Sequence, residues 1–491
     1  MRTGVLRGGL GTALRATAAL LLAGVLTGCQ FSGSSPIDIG SAKPGTLRPG
    51  LSADLGAREH PRVVATYGGV YEDRGAERAV AQVVGRLVEA SDDPSQAYRI
   101  TILNSPAVNA FALPGGYLYV TRGLLALATD TSEVAAVLAH EMAHVTASHA
   151  IKRQQRAEAT ELAGRVLGNV VRDPDQAKAA IISSQLSFAR FSQIQELEAD
   201  AVGVRTLARA KYDPFAAARF LTAMGRFAAF QSAAGAGKGA PDFLSSHPST
   251  PERIQTAVRA ARQIGAPGLG ERDRDAYLTK IDGMLYGDDP LEGFIRGRTF
   301  LHKALGITFT APPGYVLENS PEAVLASNPQ GTALRFDGTD LTDFESLTAY
   351  MTSGWINGLV RDSVREHTVN GLAAVTASAV TDGWSFRIAV VRIGRTGYRF
   401  IFASRNGGST FNSDYERTLD TFRQLTPTEV VRLRPLRIKV IRADAGDTAE
   451  RLAVGMSGVE PERRLELFTI LNQVEPGQPI PAGTPLKLVV D

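Results

Sequence analysis

The stretch Val137-Leu138-Ala139-His140-Glu141-Met142-Ala143-His144-Val145 constrains this chain more than any other. It is rich in Ala and Val, and neither Pro nor Gly interrupts the run from Ser132 to Ala150, so the pattern predicts a helix. Asp130, Thr131 or Ser132 can cap its start. On a helix, residues four apart share a face, so His140 and His144 can both aim at one metal ion. Imidazole nitrogens suit Zn²⁺. Glu141, beside that face, stands where it can take a proton from a water at the metal. With only 7 histidines among 491 residues, such a pairing seldom arises by chance.

The first residues read as a targeting segment rather than as fold material. Arg2, Arg7 and Arg15 precede an apolar run, Ala16 to Leu26, too short to span a bilayer comfortably. The run ends in Leu26-Thr27-Gly28-Cys29, which resembles a bacterial lipobox. That resemblance implies removal of residues 1–28 and lipid on the Cys29 thiol. Cys29 is the sole cysteine, so it has no disulfide partner in its own chain. Gln30 follows it, and by resemblance to lipoprotein sorting signals a non-Asp residue there points to the outer membrane. Residues 29–50 are rich in Gly, Ser and Pro and read as a flexible tether with a reach of at most ~70 Å. Beyond the leader there is no long apolar run. A net charge of +3 without a basic stripe gives no sign of nucleic-acid binding.

Residues 51–285 are expected to form the metal-binding domain. Val80, Val83, Val84, Leu87 and Val88 recur at helical spacing as a buried face. Arg99 to Asn104 reads as a strand. Pro114-Gly115-Gly116 marks a turn, and Tyr117 to Thr121 reads as another strand. Two readings of this turn and strand stay open. One is a hairpin beside the core. The other is an edge strand near the metal, with Pro114, Gly115, Gly116 and Tyr117 as candidates to meet an extended peptide by main-chain pairing. Residues 151–180 are polar and helical in pattern, and a second helical stretch, Ser184 to Leu207, contains Glu196-Leu197-Glu198-Ala199-Asp200. Zinc held by two His commonly takes a carboxylate as third ligand. Glu196 and Glu198 are two apart and point to nearly opposite sides of a helix, so only one can bind. Glu196 shares a face with Asp200 and Gly203. Gly203 permits close helix packing, and Asp200 can orient a ligating His. Glu196 is therefore the expected ligand, and Glu198 a solvated residue.

His140-Glu141-x-x-His144 followed by Glu196-x-x-x-Asp200 resembles the HtpX and CAAX-prenyl-protease superfamily of zinc metallopeptidases. Asn109-Ala110-Phe111 and Pro114-Gly115-Gly116 upstream resemble its soluble periplasmic branch, over roughly residues 55–260. The Ser-Arg that precedes the Glu motif in that family reads Ser192-Gln193 here. A metzincin site fits less well, because His149 lies five residues after His144 with no Gly between, so His149 is expected to be a packing or surface residue. Ser245-Ser246-His247-Pro248 matches a further element of the periplasmic branch. His247 is either a plain loop residue before a helix cap, or a residue near the metal that fills the open coordination position or touches substrate. Arg253, His247 and the tyrosines are candidates to stabilise an oxyanion.

Residues 286–430 change to a strand-rich pattern that weakly resembles PsbP-like α+β domains and shows no catalytic constellation. Residues 431–491 resemble a diverged LysM module, strand–helix–helix–strand, through Ala445-Gly446-Asp447-Thr448 and Pro481-Ala482-Gly483-Thr484. That resemblance implies peptidoglycan binding, and a protein-docking cap is an equally open reading. The expected fold class is α+β. The expected protein is a zinc endopeptidase with one Zn²⁺ per chain on His140, His144 and Glu196, and with Glu141 as general base. It would be lipid-anchored in the periplasm. The resemblance implies misfolded or misassembled envelope proteins as substrates. Two alternatives are a zinc-retaining chaperone or assembly factor and a peptidoglycan-bound scaffold. Glu141 speaks against the chaperone, since binding alone needs no base.

Overall fold

A computed structural model describes residues 49–149, 152, 193–233, 247, 250–381, 383–405, 407 and 410–491, with side chains from residue 55 onward. The leader, Cys29, the tether up to residue 48 and almost all of 151–180 lie outside the described residues. Among the described residues no helix is long and apolar enough to cross a membrane.

Helix α1 (Pro49–Thr66) leads to α2 (Arg74–Ala90), which is capped by the Asp73 carboxylate accepting from the Gly75 and Ala76 amides. The stripe read from the sequence is the buried face of α2: Val80, Val83, Val84 and Leu87 are buried, and Val88 packs at the margin. A three-stranded sheet follows, β1 (Arg99–Leu103), β2 (Ala110–Leu113) and β3 (Tyr117–Thr121), in the order β1-β3-β2. Pro114-Gly115-Gly116 makes the hairpin turn between β2 and β3, with φ of +87° and +81° at the two glycines. At Gly116 a Cβ would also sit 2.1 Å from the Ala97 carbonyl oxygen, so glycine is required there.

This topology corrects one expectation. Tyr117–Thr121 is the middle strand, paired parallel to β1 and antiparallel to β2, so no peptide can add to it. Every residue of it is buried. Pro114, Gly115, Gly116 and Tyr117 thus build the hairpin, and β2 and β1 are the edges of this sheet. A parallel neighbour leaves no local mark in the sequence, because its ladder joins segments far apart in the chain.

Helix α3 (Arg122–Leu127) runs on from β3, and Thr129 and Asp130 turn the chain into α4 (Thr131–Thr146). Of the three possible caps, Asp130 accepts from the Glu133 amide at 3.0 Å. Helix α4 packs against α2, β2 and the helix Ala216–Ala233, and is buried on nearly every side.

Residues Phe294–Gln424 carry a seven-stranded antiparallel sheet in the order 365–369, 372–381, 384–393, 396–404, 332–340, 324–327, 316–319, with a second, four-stranded sheet and the helix Phe411–Thr421 against it. Its two cores are its own. The C-terminal segment behaves differently. Strand Leu436–Arg442, helices Ala449–Ala453 and Pro461–Asn472 and strand Pro485–Val490 follow in that order. Its Ile438, Phe468, Leu471 and Leu486 share one continuous core with Val83, Leu138, Phe220 and Ile281 of the metal-helix region. Leu285–Tyr286 extends its sheet by pairing with Leu436–Arg437.

Candidate metal centre

Helix α4 presents His140 and His144 on one face, as their spacing requires. The helix over 193–209 crosses it closely, since a Cβ on Gly203 would stand only 3.3 Å from the His140 amide nitrogen. That crossing brings in Glu196. One donor atom from each of His140, His144, Glu196 and His247 lies within 4.8 Å of the other three, and all four residues are buried. His140 Nε2 and His144 Nε2 are 3.0 Å apart, and Glu196 places Oε2 3.3 Å from the first and Oε1 3.4 Å from the second. Donors about 2.0–2.1 Å from a tetrahedral zinc stand roughly 3.3 Å from one another. Three nitrogens and a carboxylate oxygen at these separations therefore fit zinc. His247 Nδ1 closes the group, 2.8 Å from Glu196 Oε2 and 3.3 Å from His140 Nε2.

A ring of partners orients these donors. His140 Nδ1 faces Asp200 Oδ1 at 2.9 Å. Arg253 grips Asp200 through Nε at 2.8 Å and Nη2 at 2.7 Å, and reaches Glu196 Oε2 with Nη1 at 3.1 Å. Its helix, Pro251–Ile264, starts at a Thr250 cap, so the loop carrying His247 leads directly into it. Arg253 thus holds the acidic ligands from behind. Both ends of its guanidinium are engaged by Asp200 and Glu196.

Burial pushes His140 down, but hydrogen bonds to Asp200 and Glu196 outweigh it and hold the imidazole at about 10. Burial also pushes His144 down, here to about 3, so it offers a neutral nitrogen. Burial opposes ionisation of Asp200, yet Arg253 and His140 bring its carboxyl to about 2. Glu196 lies far below the usual carboxylate range despite burial, because three imidazoles face it.

Of the two places expected for His149, packing or surface, it takes the packed one. It is fully buried, its Nδ1 is 2.8 Å from His144 Nδ1 and its Nε2 is 3.3 Å from Glu198 Oε2. Glu198 is half exposed and faces away from the donor group, as its two-residue offset from Glu196 requires. Glu196→Gln should therefore weaken zinc binding, because a neutral amide replaces a charged ligand, while Glu198→Gln should leave one zinc per chain. Metal analysis after dialysis against a weak chelator checks this, and zinc lost from Glu198→Gln alone would reverse the choice of carboxylate.

A His-Glu-x-x-His helix whose third ligand comes from a Glu on a crossing helix is the site of a zinc-metallopeptidase class. Residues 75–261 match the model of Peptidase family M48. Among curated proteins, the beta-barrel assembly-enhancing protease of Escherichia coli K12 is 30% identical over 205 residues, covering 40% of each chain. The mitochondrial metalloendopeptidase OMA1 of Arabidopsis thaliana is 32% identical over 189 residues, covering 38% of this chain and 36% of that one. The chain thus spans well under half the length of these relatives. Among solved structures, the cyanobacterial PsbP of Synechocystis sp. PCC 6803 aligns at 13% identity and a TM-score of 0.20, covering 33% of this chain and 97% of that one. That score is too low to relate the folds.

Proposed function

We propose that this chain is a zinc endopeptidase of the bacterial cell envelope that cleaves unfolded or misassembled envelope proteins. The observation that carries the reading is Glu141. It is buried at the mouth of the donor group, with its Oε1 3.6 Å from His247 Nε2, where a binding or scaffolding site needs no carboxylate. Zinc, when bound, supplies Lewis acidity to a water and to a carbonyl. Glu141 takes the proton of the attacking water and later passes it to the leaving amine. Asp200 and Arg253 fix the orientation of His140 and Glu196, and the crossing at Gly203 holds the two helices in register. An extended substrate would pair with the edge strand β2, which packs on α4, rather than with β3. Degradation of unfolded casein, lost with a chelator and restored by zinc, tests the activity. A chain that binds zinc and never cleaves would be a chaperone or scaffold.

His247 supports a resting state in which the imidazole occupies the position a catalytic water needs. Pro248 restricts its backbone to extended conformations, which narrows where the ring can point. His247→Ala should then raise basal casein cleavage. Lower activity would instead make His247 a substrate or transition-state contact, and unchanged kinetics a plain loop residue.

The envelope location rests on the lipobox-like Leu26-Thr27-Gly28-Cys29 and on the bacterial relative above. Cys29→Ser should give a chain that palmitate no longer labels, and equal labelling of both forms would rule out Cys29 as the anchor. Peptidoglycan binding by 431–491 is supported by the strand–helix–helix–strand order alone.

A further inference from the structure

A cavity of about 790 Å³ lies where the metal-helix region, the sheet domain and the C-terminal segment meet. That is within the range of sites for small ligands, about 300–1,000 Å³. Apolar side chains from all three parts line it, among them Phe230, Leu317 and Leu471. Four arginines also line it, Arg122, Arg296, Arg298 and Arg463, against one carboxylate, Glu460. Asp288, Asp289 and Asp491 temper the charge of Arg122 and Arg296 without forming an ion pair with either among the described residues.

Arg122 is the informative member. It is 1% exposed, its Nε donates to Asn104 Oδ1 at 2.8 Å and its Nη1 to the Leu285 carbonyl at 3.4 Å, while its Nη2 has no hydrogen-bond partner. A buried guanidinium nitrogen without an acceptor is unfavourable, and more so on a charged group. An acceptor oxygen in the cavity would remove that cost. Arg463 stacks on Phe230 at 3.8 Å and uses only Nη2, on the Phe230 carbonyl, so it has further donors to offer. A peptide is a poor occupant. Its amides would need acceptors, and the side-chain oxygens of the lining are those of Gln231, Tyr286, Tyr315 and Glu460. What the walls match is an occupant that is polar at one end and apolar along the rest.

We propose that this cavity binds a single-chain amphiphilic anion, an alkyl carboxylate or an alkyl phosphate, with its head at Arg122 and Arg463 and its chain against Phe230, Leu317 and Leu471. The test is calorimetric titration of the zinc-loaded full chain with decanoate, decyl phosphate and decanol, each below its micellar concentration. One saturable site per chain is expected for decanoate or for decyl phosphate, and whichever binds more tightly names the source of the head group. Decanol should bind at least tenfold more weakly. Arg122→Met and Arg463→Met should each weaken the anion at least tenfold, and Leu471→Trp, which fills the cavity, should abolish binding. Arg463 is partly exposed, so its variant decides the matter where Arg122→Met fails to fold. Equal binding of decanol, no saturable site, or undiminished binding by folded Arg463→Met and Leu471→Trp would overturn the proposal.

Discussion

Glu141→Gln is expected to abolish casein cleavage while leaving one zinc per chain. A positioned general base typically contributes ~10²–10⁴-fold to rate, and the amide cannot accept the proton. The metal should stay because the donor group is His140, His144, Glu196 and His247, and Glu141 is not among them. The exchange is nearly isosteric in a site that is 2% exposed, so the helix should fold as before. Metal analysis and the cleavage assay, run on the same sample, separate base from ligand. Zinc lost together with activity would place Glu141 in the coordination shell, and retained activity would remove it from the chemistry.

Lys487→Met should destabilise the metal-helix region, although residue 487 lies more than 300 residues downstream. Lys487 is fully buried on strand Pro485–Val490, and its Nζ donates to the carbonyls of Ala126, Leu127 and Ala128 at 2.6, 3.1 and 2.7 Å. These are the last carbonyls of α3, where a helix leaves its acceptors unpaired and favours a cation. The next residues cap α4. Burial holds the Lys487 ammonium well below its ordinary value, with Arg274 adding to the effect and Glu133 and Asp130 opposing it. Removing the ammonium strands three buried carbonyls, a loss of roughly 3 kcal/mol or more. The urea midpoint followed by far-ultraviolet circular dichroism should fall accordingly, because the C-terminal segment shares the core of α2 and α4. An unchanged midpoint would mean that the segment folds apart from the metal-helix region.

The candidate site was legible because helical periodicity carries it. His140, His144, Glu196, Asp200 and Gly203 sit at spacings of three and four, and the fold needed only to cross two helices. The contact of His149 with His144 was not legible for the converse reason. The run to Ala150 contains no helix breaker, yet α4 ends at Thr146 and Ser148 takes a φ of +54°, which folds His149 back onto His144. Arg253 owes its grip on Asp200 to a helix about fifty residues away, a contact that no local pattern encodes. Lys487 in Leu486-Lys487-Leu488 has the alternation of a half-exposed strand, and only the docking of that strand onto α3 buries it. The β3 edge reading failed similarly, since the parallel β1 partner is a long-range pairing.

Anomalous diffraction at the zinc edge from crystals of the full chain addresses the central claim most directly. One strong peak per chain is expected, within bonding distance of His140 Nε2, His144 Nε2 and Glu196, and with Glu141 outside that distance. A peak bound instead by His149 and Glu198, or no peak among these residues in a zinc-loaded crystal, would contradict it.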